Sequence, residues 1–198
     1  MMGHMSGRPR SFDPEEVLSK AMMTFWRHGY DATGLSQLEA ETGLGRQSLY
    51  AAFGDKRALF LAAVDHYFKT VIEPGFVAVL DAPGSALHNL LSVLQGWEAV
   101  ALAPDFSGCL IGNSVAEMGR RDELMAQVLQ RKFELMEAAL ERALKRARQA
   151  GEVPRGLNPK VTAQSLLAMA QGLAVLARVR SDPAVVRNVL MSAKALLK

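Results

Sequence analysis

Cysteine and tryptophan are rare in this sequence, which has one cysteine and two tryptophans in 198 residues. A single cysteine cannot form an intrachain disulfide, and it excludes a cysteine-rich zinc site. No secretory signal segment is evident, so we expect a reducing, cytoplasmic compartment. Polar residues interrupt the most apolar stretch, residues 161–177, so we expect no membrane span there. The first five residues resemble an expression-tag remnant, and we assign them no role in the fold.

The charge balance is also slight. The 23 Lys and Arg residues against 20 Asp and Glu residues leave a net charge of +3. Residues 1–70 hold 8 basic and 8 acidic residues, so overall charge does not indicate nucleic-acid binding, and only local placement of basic groups can. The composition, 49% hydrophobic and 22% charged, is that of a globular protein with one large domain or two small ones.

The spacing of apolar and helix-breaking residues predicts an all-α fold, because period-2 alternation is lacking and β-branched residues are sparse. Asp13 is a candidate N-cap for the first helix, and Gly29 ends it. Gly43 separates two short helices, Asp55 caps a fourth helix, and Pro74 with the following glycine is expected to end or kink that helix. The short helices are predicted at about 35–42 and 46–53, and later helices at about 85–103, 108–118, 122–150, 159–180 and 183–197.

Residues 35–53 have the pattern of a helix-turn-helix, in which a glycine at residue 43 suits a left-handed turn. Leucines and Phe53 pack one side of the second helix inward and leave a polar face for the major groove, where Arg pairs with guanine and Gln with adenine. A short basic arm, residues 7–10, can enter the minor groove. The predicted DNA contacts are Arg8, Arg10, Thr33, Arg46, Gln47, Ser48, Tyr50, Ala51 and Lys56. From the spacing alone, the same three helices also suit a protein that never binds DNA, with Tyr50 and Lys56 as ordinary surface residues.

About 45 residues of this region carry a family pattern. The run Gly29-Tyr30-Asp31-Ala32-Thr33, then Thr42-Gly43-Leu44, Ser48-Leu49-Tyr50 and Phe53-Gly54-Asp55-Lys56, closely resembles the N-terminal domain of the TetR family of bacterial transcription repressors. The resemblance implies an all-helical homodimer with an N-terminal helix-turn-helix DNA-binding domain and a C-terminal ligand-binding and dimerisation domain. It also implies a palindromic operator that a small-molecule effector releases. We therefore expect an arm at residues 1–10, a DNA-binding domain at 11–55 and the second domain at 56–198.

This chain departs from the family pattern at the DNA-binding surface. Many members carry Ser in place of Gly45, so the second helix lacks a side-chain cap here. Many also carry His in place of Ala52, where it often contacts phosphate. Glu39 and Glu41 replace small residues, and their carboxylates would weaken phosphate attraction if they faced DNA.

The second domain is expected to supply both a dimer interface and a ligand pocket. Its last two helices carry broader apolar faces than two terminal helices need, which favours pairing with a second copy over plain intrachain core. Aromatic and methionine side chains of the middle helices give an adaptable apolar surface for a ligand. The candidate pocket residues are Phe76, Trp97, Phe106, Cys109, Asn113, Met118, Met125, Phe133 and Met136, with Ser114 and Glu117 as further polar groups.

Cys109 has two interpretations. At a helix N-terminus its thiol pKa can fall, and the segment Gly-Cys-Leu-x-x-Asn resembles one in a TetR subgroup with cysteine sensors of electrophiles or oxidants. Lone cysteines are also commonly small buried hydrophobes. His66 and His88 have no partner at metal-ligand spacing, so we assign no metal and no cofactor.

A ligand-responsive transcription repressor is thus the leading hypothesis. An enzyme is disfavoured because we find no Ser/His/Asp set, no phosphate-binding glycine loop and no His-Glu-x-x-His pattern. A helical adaptor that has lost DNA binding stays open, because the N-terminal part is electrically neutral.

Overall fold

The computed structural model describes residues 12–119, 121–179 and 182–198. Their regular structure is helical throughout, and the described residues contain no β-strand, so the all-α prediction is confirmed. The elements are α1 (Pro14–His28), α2 (Leu35–Thr42), α3 (Arg46–Phe53), α4 (Lys56–Tyr67), a π-helical segment (Phe68–Val77), α5 (Ala78–Asp81), α6 (Ala86–Ala101), α7 (Leu110–Met118), α8 (Glu123–Gln149), α9 (Pro159–Ala177) and α10 (Pro183–Ala195).

Local capping sets the ends of the first helices. Asp13 Oδ1 accepts a hydrogen bond from the Glu15 amide at 2.9 Å and begins α1. Gly43, at φ 74°, takes the left-handed conformation that turns the chain from α2 towards α3. Asp55 Oδ1 accepts from the Ala58 amide at 2.7 Å and begins α4. The helix-turn-helix prediction is therefore confirmed, with the expected helix bounds.

An aromatic cluster joins this helix-turn-helix to α1 and α4. The rings of Phe25 and Phe60 meet edge to face at 5.1 Å, and Tyr30 meets Phe60 at 5.0 Å. Leu38 of α2 and Leu49 of α3 are fully buried in the same core. Since α4 packs against both α1 and α7, it connects the two halves of the chain, and the division at residues 55 and 56 stays a prediction.

The prediction that Pro74 ends or kinks the fourth helix is wrong in its first part, because the helical path continues past Pro74, and the kink stays a prediction. The helical path continues from Tyr67 through the π-helical segment, which contains Pro74, and ends at Asp81. In a π-helix each amide bonds five residues back, and the wider backbone has room for a proline ring that would clash in an α-helix. Pro74 therefore interrupts the α-helical geometry, as the sequence predicts, but the chain changes to a π-helix there and the helical path does not end.

The second half of the chain is built around α8, which packs against α6, α7 and α9. Its buried stripe includes Leu129, Met136, Leu140 and Leu144. By contrast, α9 and α10 leave large apolar side chains in solvent, among them Val161, Val175, Leu176 and Met191. A single protomer thus buries one face of these two helices and exposes apolar groups on another.

Helix α9 is, among the described helices, long and apolar enough to cross a membrane by length and composition. A core helix of a water-soluble protein passes the same test, and 39% of the apolar window of α9 is buried within the fold. Leu166 and Leu173 lie in the common core. This helix is therefore weak evidence for membrane insertion.

Candidate functional site

The polar side of α3 forms a continuous exposed surface, which we call the recognition face: Arg46, Gln47, Ser48, Tyr50 and Ala51. Four of these residues are exposed and Tyr50 is half-buried, whereas Leu49 on the opposite side is fully buried. The Arg46 guanidinium lies 5.5 Å from the centre of the Tyr50 ring, a cation–π geometry that orients its side chain. The predicted residues of α3 therefore lie together on one face that can enter a groove.

Glu39 stabilises the start of α3 in a way that the sequence did not reveal. Gly45 is the N-cap of α3 and offers no side-chain bond. Glu39 of α2 supplies it instead, because its Oε1 accepts a hydrogen bond from the Arg46 amide at 2.5 Å. A carboxylate at this position also interacts favourably with the helix dipole. Glu39 of α2 therefore caps the start of α3, and its carboxylate also places a negative charge near the recognition face.

The predicted DNA contacts that flank α3 lie in different surroundings. Lys56 begins α4, and its ammonium lies 4.5 Å from the centre of the Tyr30 ring. Thr33 is fully buried, and its hydroxyl donates to the Gly29 carbonyl at 2.5 Å, so its side chain is not available to a phosphate. Thr33 instead holds the turn before α2. Arg8 and Arg10 lie outside the described residues.

A cavity of about 460 Å³ lies between α1, the π-helical segment, α6 and α9. Of the predicted pocket residues, Phe76, Trp97, Phe106, Cys109 and Met136 line it. Trp26, Tyr67 and Gln171 line it too, although sequence reasoning did not select them. Trp26 belongs to α1, which the sequence assigns to DNA binding, so only the tertiary fold reveals that it reaches the cavity.

The other predicted pocket residues do not line this cavity. Met118 and Met125 are buried in the core, and Phe133 packs against that core. The Asn113 Nδ2 donates to the Ser107 carbonyl at 2.8 Å. Ser114 donates to the Leu110 carbonyl. These five side chains stabilise the helices around the cavity.

Cys109 is buried at the N-cap of α7. Burial raises the pKa of its thiol, and this outweighs the opposing hydrogen bonds from the amides of Gly112 and Ile111 and from the Tyr67 and Gln171 side chains. The expected fall in pKa at a helix N-terminus is therefore wrong for the net effect. The thiol is neutral at pH 7, and a sensor role for Cys109 stays a prediction.

His66 of α4 contacts polar side chains of α1. His66 packs between α1 and α4, with its Nε2 2.8 Å from the Ser19 hydroxyl and its Nδ1 3.3 Å from a Glu15 carboxylate oxygen. Among the described residues, no group of three His, Cys, Asp or Glu side chains could hold a metal ion. His66 therefore has a structural role between two helices.

Helix α7 connects the cavity with the helix-turn-helix. At its start, the Gly108 carbonyl accepts a hydrogen bond from the Trp26 indole at 3.0 Å, and both residues line the cavity. At its end, the Glu117 carboxylate accepts from the amides of Tyr30 and Asp31 at 2.9 and 2.7 Å. The sequence suggested Glu117 as a pocket group, but its carboxylate instead accepts hydrogen bonds from the turn between α1 and α2.

A second link lies just beyond α7. Arg57, in the first turn of α4, makes a two-pronged ion pair with Asp122, with Nε to Oδ2 at 2.6 Å. Asp122 also caps α8 by accepting from the Met125 amide at 3.0 Å. The Arg57 side chain is the main reason that the pKa of Asp122 lies below its ordinary value. Both halves of the chain are thus joined by charge-assisted hydrogen bonds close to the DNA-binding end.

Comparison with known proteins identifies the family to which this chain is similar. Residues 17–63 match the family described as bacterial regulatory proteins, tetR family, and residues 86–192 match the tetracyclin repressor-like C-terminal domain. The chain is 30% identical over 175 residues to the HTH-type transcriptional repressor ComR of Escherichia coli (strain K12), covering 87% of this chain and 82% of ComR. It is 34% identical over 148 residues to the uncharacterized HTH-type transcriptional regulator YezE of Bacillus subtilis (strain 168), covering 74% and 76%.

Comparison of the fold with solved structures agrees with the sequence matches. A solved structure of a cysteine mutant of the TetR family transcriptional regulator CifR, complexed with 26-bp double-strand operator DNA, superposes with a TM-score of 0.82 at 27% identity, covering 94% of this chain and 99% of that one. Both halves of the sequence, a relative of near-equal length and the fold thus agree, and the chain belongs to the TetR family of bacterial regulatory proteins.

Proposed function

We propose that this protein is a homodimeric transcriptional repressor that binds a palindromic operator and is released from it by a small-molecule effector. The observation that carries the proposal is the recognition face of α3, which is exposed and polar while Leu49 anchors the helix from behind. Named relatives support it, since ComR is a repressor and CifR was solved on operator DNA. TetR-family members are DNA-binding regulators, and a regulator of bacterial genes works in the cytoplasm.

The recognition face carries groups of the kinds that read base pairs. Arg46 can donate two hydrogen bonds to guanine, and Gln47 can pair with adenine. Ala51 is small enough to meet a thymine methyl group. Tyr50, Ser48 and the amide-bearing start of α4 at Lys56 suit phosphate contacts, which fix the register of the helix on the duplex.

A homodimer explains the apolar side chains that α9 and α10 expose. Val175, Leu176 and Met191 lie in solvent in one protomer, with more than half of each side chain accessible. Pairing these helices with those of a second copy would bury the exposed groups in a four-helix interface. It would also place two recognition helices about one DNA turn (~34 Å) apart, as a palindrome requires.

Effector binding would act through α7. A ligand in the cavity contacts the Trp26 side of α1 and the start of α7, while Glu117 at the other end of α7 holds the turn that leads into α2. A ligand that binds one arrangement of these elements more tightly shifts the population towards it. Operator release follows if that arrangement separates the two recognition helices by a distance that no longer fits both half-sites.

Selection from a pool of randomised duplexes tests the proposal. We expect an inverted repeat to be enriched, with an affinity that falls steeply as the salt concentration rises, because phosphate contacts release counterions. Binding without sequence preference at every salt concentration would contradict the proposed repressor and favour a helical adaptor.

A further inference from the structure

We propose that the effector is an uncharged, mainly apolar molecule with a flat or aromatic group, held against the rings of the cavity and oriented by the Gln171 carboxamide. The inference rests on the proposed function, in that it takes the cavity as the effector site. It names a ligand class that neither the family nor the relatives' names assign.

The cavity wall excludes charge. Among the described residues that line it, none is Asp, Glu, Lys, Arg or His. An ionised ligand would lose its water shell there without gaining an opposite charge, which is the costly case for burial. A carboxylate or ammonium compound is therefore expected to bind about tenfold more weakly, or worse, than a neutral compound of the same shape.

The shape of the wall favours flat apolar groups. The rings of Phe76 and Trp97 lie nearly parallel, with 12° between their planes and centroids 6.2 Å apart. Trp26 and Tyr67 meet edge to face at 4.9 Å. These four rings belong to α1, α4, the π-helical segment and α6, so they meet only in the folded protein. A volume of about 460 Å³ is in the usual range for sites that hold a drug-sized molecule.

Polar recognition in the cavity is sparse. Burial raises the pKa of the Tyr67 hydroxyl well above its ordinary value, and the neighbouring Cys109 thiol raises it further. Among the described lining residues, Gln171 carries a carboxamide side chain. Its interaction with Cys109 uses part of the carboxamide, and the remaining donor and acceptor sites suit one neutral polar group such as a hydroxyl, carbonyl or amine.

The cavity wall is exposed to solvent along α6 and at Gly75 of the π-helical segment. Gly96, Ala99 and Val100 line the cavity and are exposed to solvent. A Cβ added at Gly96 would meet no heavy atom within 4 Å outside its own helix backbone. A larger residue at this position therefore has room, and it can narrow the cavity at α6 without disturbing the packing around it.

Two dyes with the same ring system provide the test: N-phenyl-1-naphthylamine, which is neutral, and 8-anilinonaphthalene-1-sulfonate, which is anionic. Trp26 and Trp97 are the two tryptophans of the sequence and both line the cavity, so energy transfer from tryptophan is strongest for a dye bound there, and the variants below locate the site. We expect the neutral dye to bind about tenfold or more tightly than the anionic dye. Gly96→Leu should weaken the neutral dye about tenfold, whereas Gln95→Leu, exposed and outside the cavity lining, should not.

Each outcome bears on a different statement. Equal or tighter binding of the anionic dye, with sensitivity to Gly96→Leu, would overturn the ligand class but leave the cavity as the effector site. Binding that is insensitive to Gly96→Leu would overturn the cavity as the binding site. Cavity binding of the neutral dye without release of the selected duplex would support the ligand class and contradict the proposed function.

Discussion

The recognition helix depends on a cap from its neighbour, and removing that cap tests how α3 is held. Glu39→Ala deletes the carboxylate that accepts from the Arg46 amide at 2.5 Å. Loss of an N-cap side chain costs about 0.5–2 kcal/mol, and loss of a charge at a helix N-terminus costs about 0.3–1 kcal/mol. Because α3 has only eight residues and Leu49 is its fully buried anchor, we expect its stability to fall by about 1 kcal/mol.

Amide hydrogen exchange within α3 measures this effect directly. A loss of about 1 kcal/mol corresponds to roughly fivefold faster exchange of the amides at Ser48 and Leu49, which bond back to the Gly45 carbonyl. Glu39→Gln is the matched control, since it keeps an acceptor oxygen and loses only the charge. It should fall between the parent and the alanine variant.

A second substitution should rescue the first. Gly45 has φ −67° and ψ 158°, a backbone geometry that an N-cap serine adopts. A Cβ there would lie 3.9 Å from Glu39 Oε1, an ordinary contact. Gly45→Ser combined with Glu39→Ala is therefore expected to restore slow exchange. Unchanged exchange in Glu39→Ala, or no recovery in the double variant, would refute the capping role.

Three further changes test the DNA surface, the α7 link and the ion pair beside it. Arg46→Ala or Gln47→Ala should remove about 1–3 kcal/mol of discrimination at its base pair with unchanged dimer mass by sedimentation; an unaltered operator preference in both would remove the recognition-face assignment. Glu117→Ala deletes both acceptors that hold the α1–α2 turn, so it should reduce release of the duplex by the neutral dye while dye affinity stays the same. Equal release would show that coupling takes another route. Since Arg57 lowers the pKa of Asp122 in the folded state, this pair stabilises the fold above the ordinary carboxyl pKa of about 3.9, and the benefit is lost as the pH falls through the folded-state pKa. Arg57→Ala should therefore lose less stability on acidification in thermal unfolding, and identical acid limbs would contradict this link.

Helix bounds near the DNA-binding end were predictable because short-range signals set them. Gly43 and the cap at Asp55 act within a few residues, so α2 and α3 have the predicted ends. Pro74 failed as a helix breaker because the chain could change to π-helical geometry, which depends on what packs around it. Local chemistry thus predicted the turns well and the long helix less well.

The candidate sites were predictable only in part, because they combine distant segments. The recognition face lies on one short helix, so its residues follow from helical periodicity. The cavity joins Trp26 with Gln171, which are far apart in sequence. Thr33 and Cys109 were assigned roles by position, but burial decides both: one hydroxyl is satisfied internally, and one thiol is kept neutral.

The spacing of half-sites tests the central claim most directly. Two recognition helices on one dimer should read half-sites about one helical turn apart on the same face of the duplex. The measurement is fluorescence anisotropy of the selected duplex, with and without about 5 bp, half a turn, inserted between its half-sites. We expect tight binding of the original duplex and near-complete loss of specific affinity for the lengthened one. Equal affinity for both would contradict a dimer that reads a palindrome.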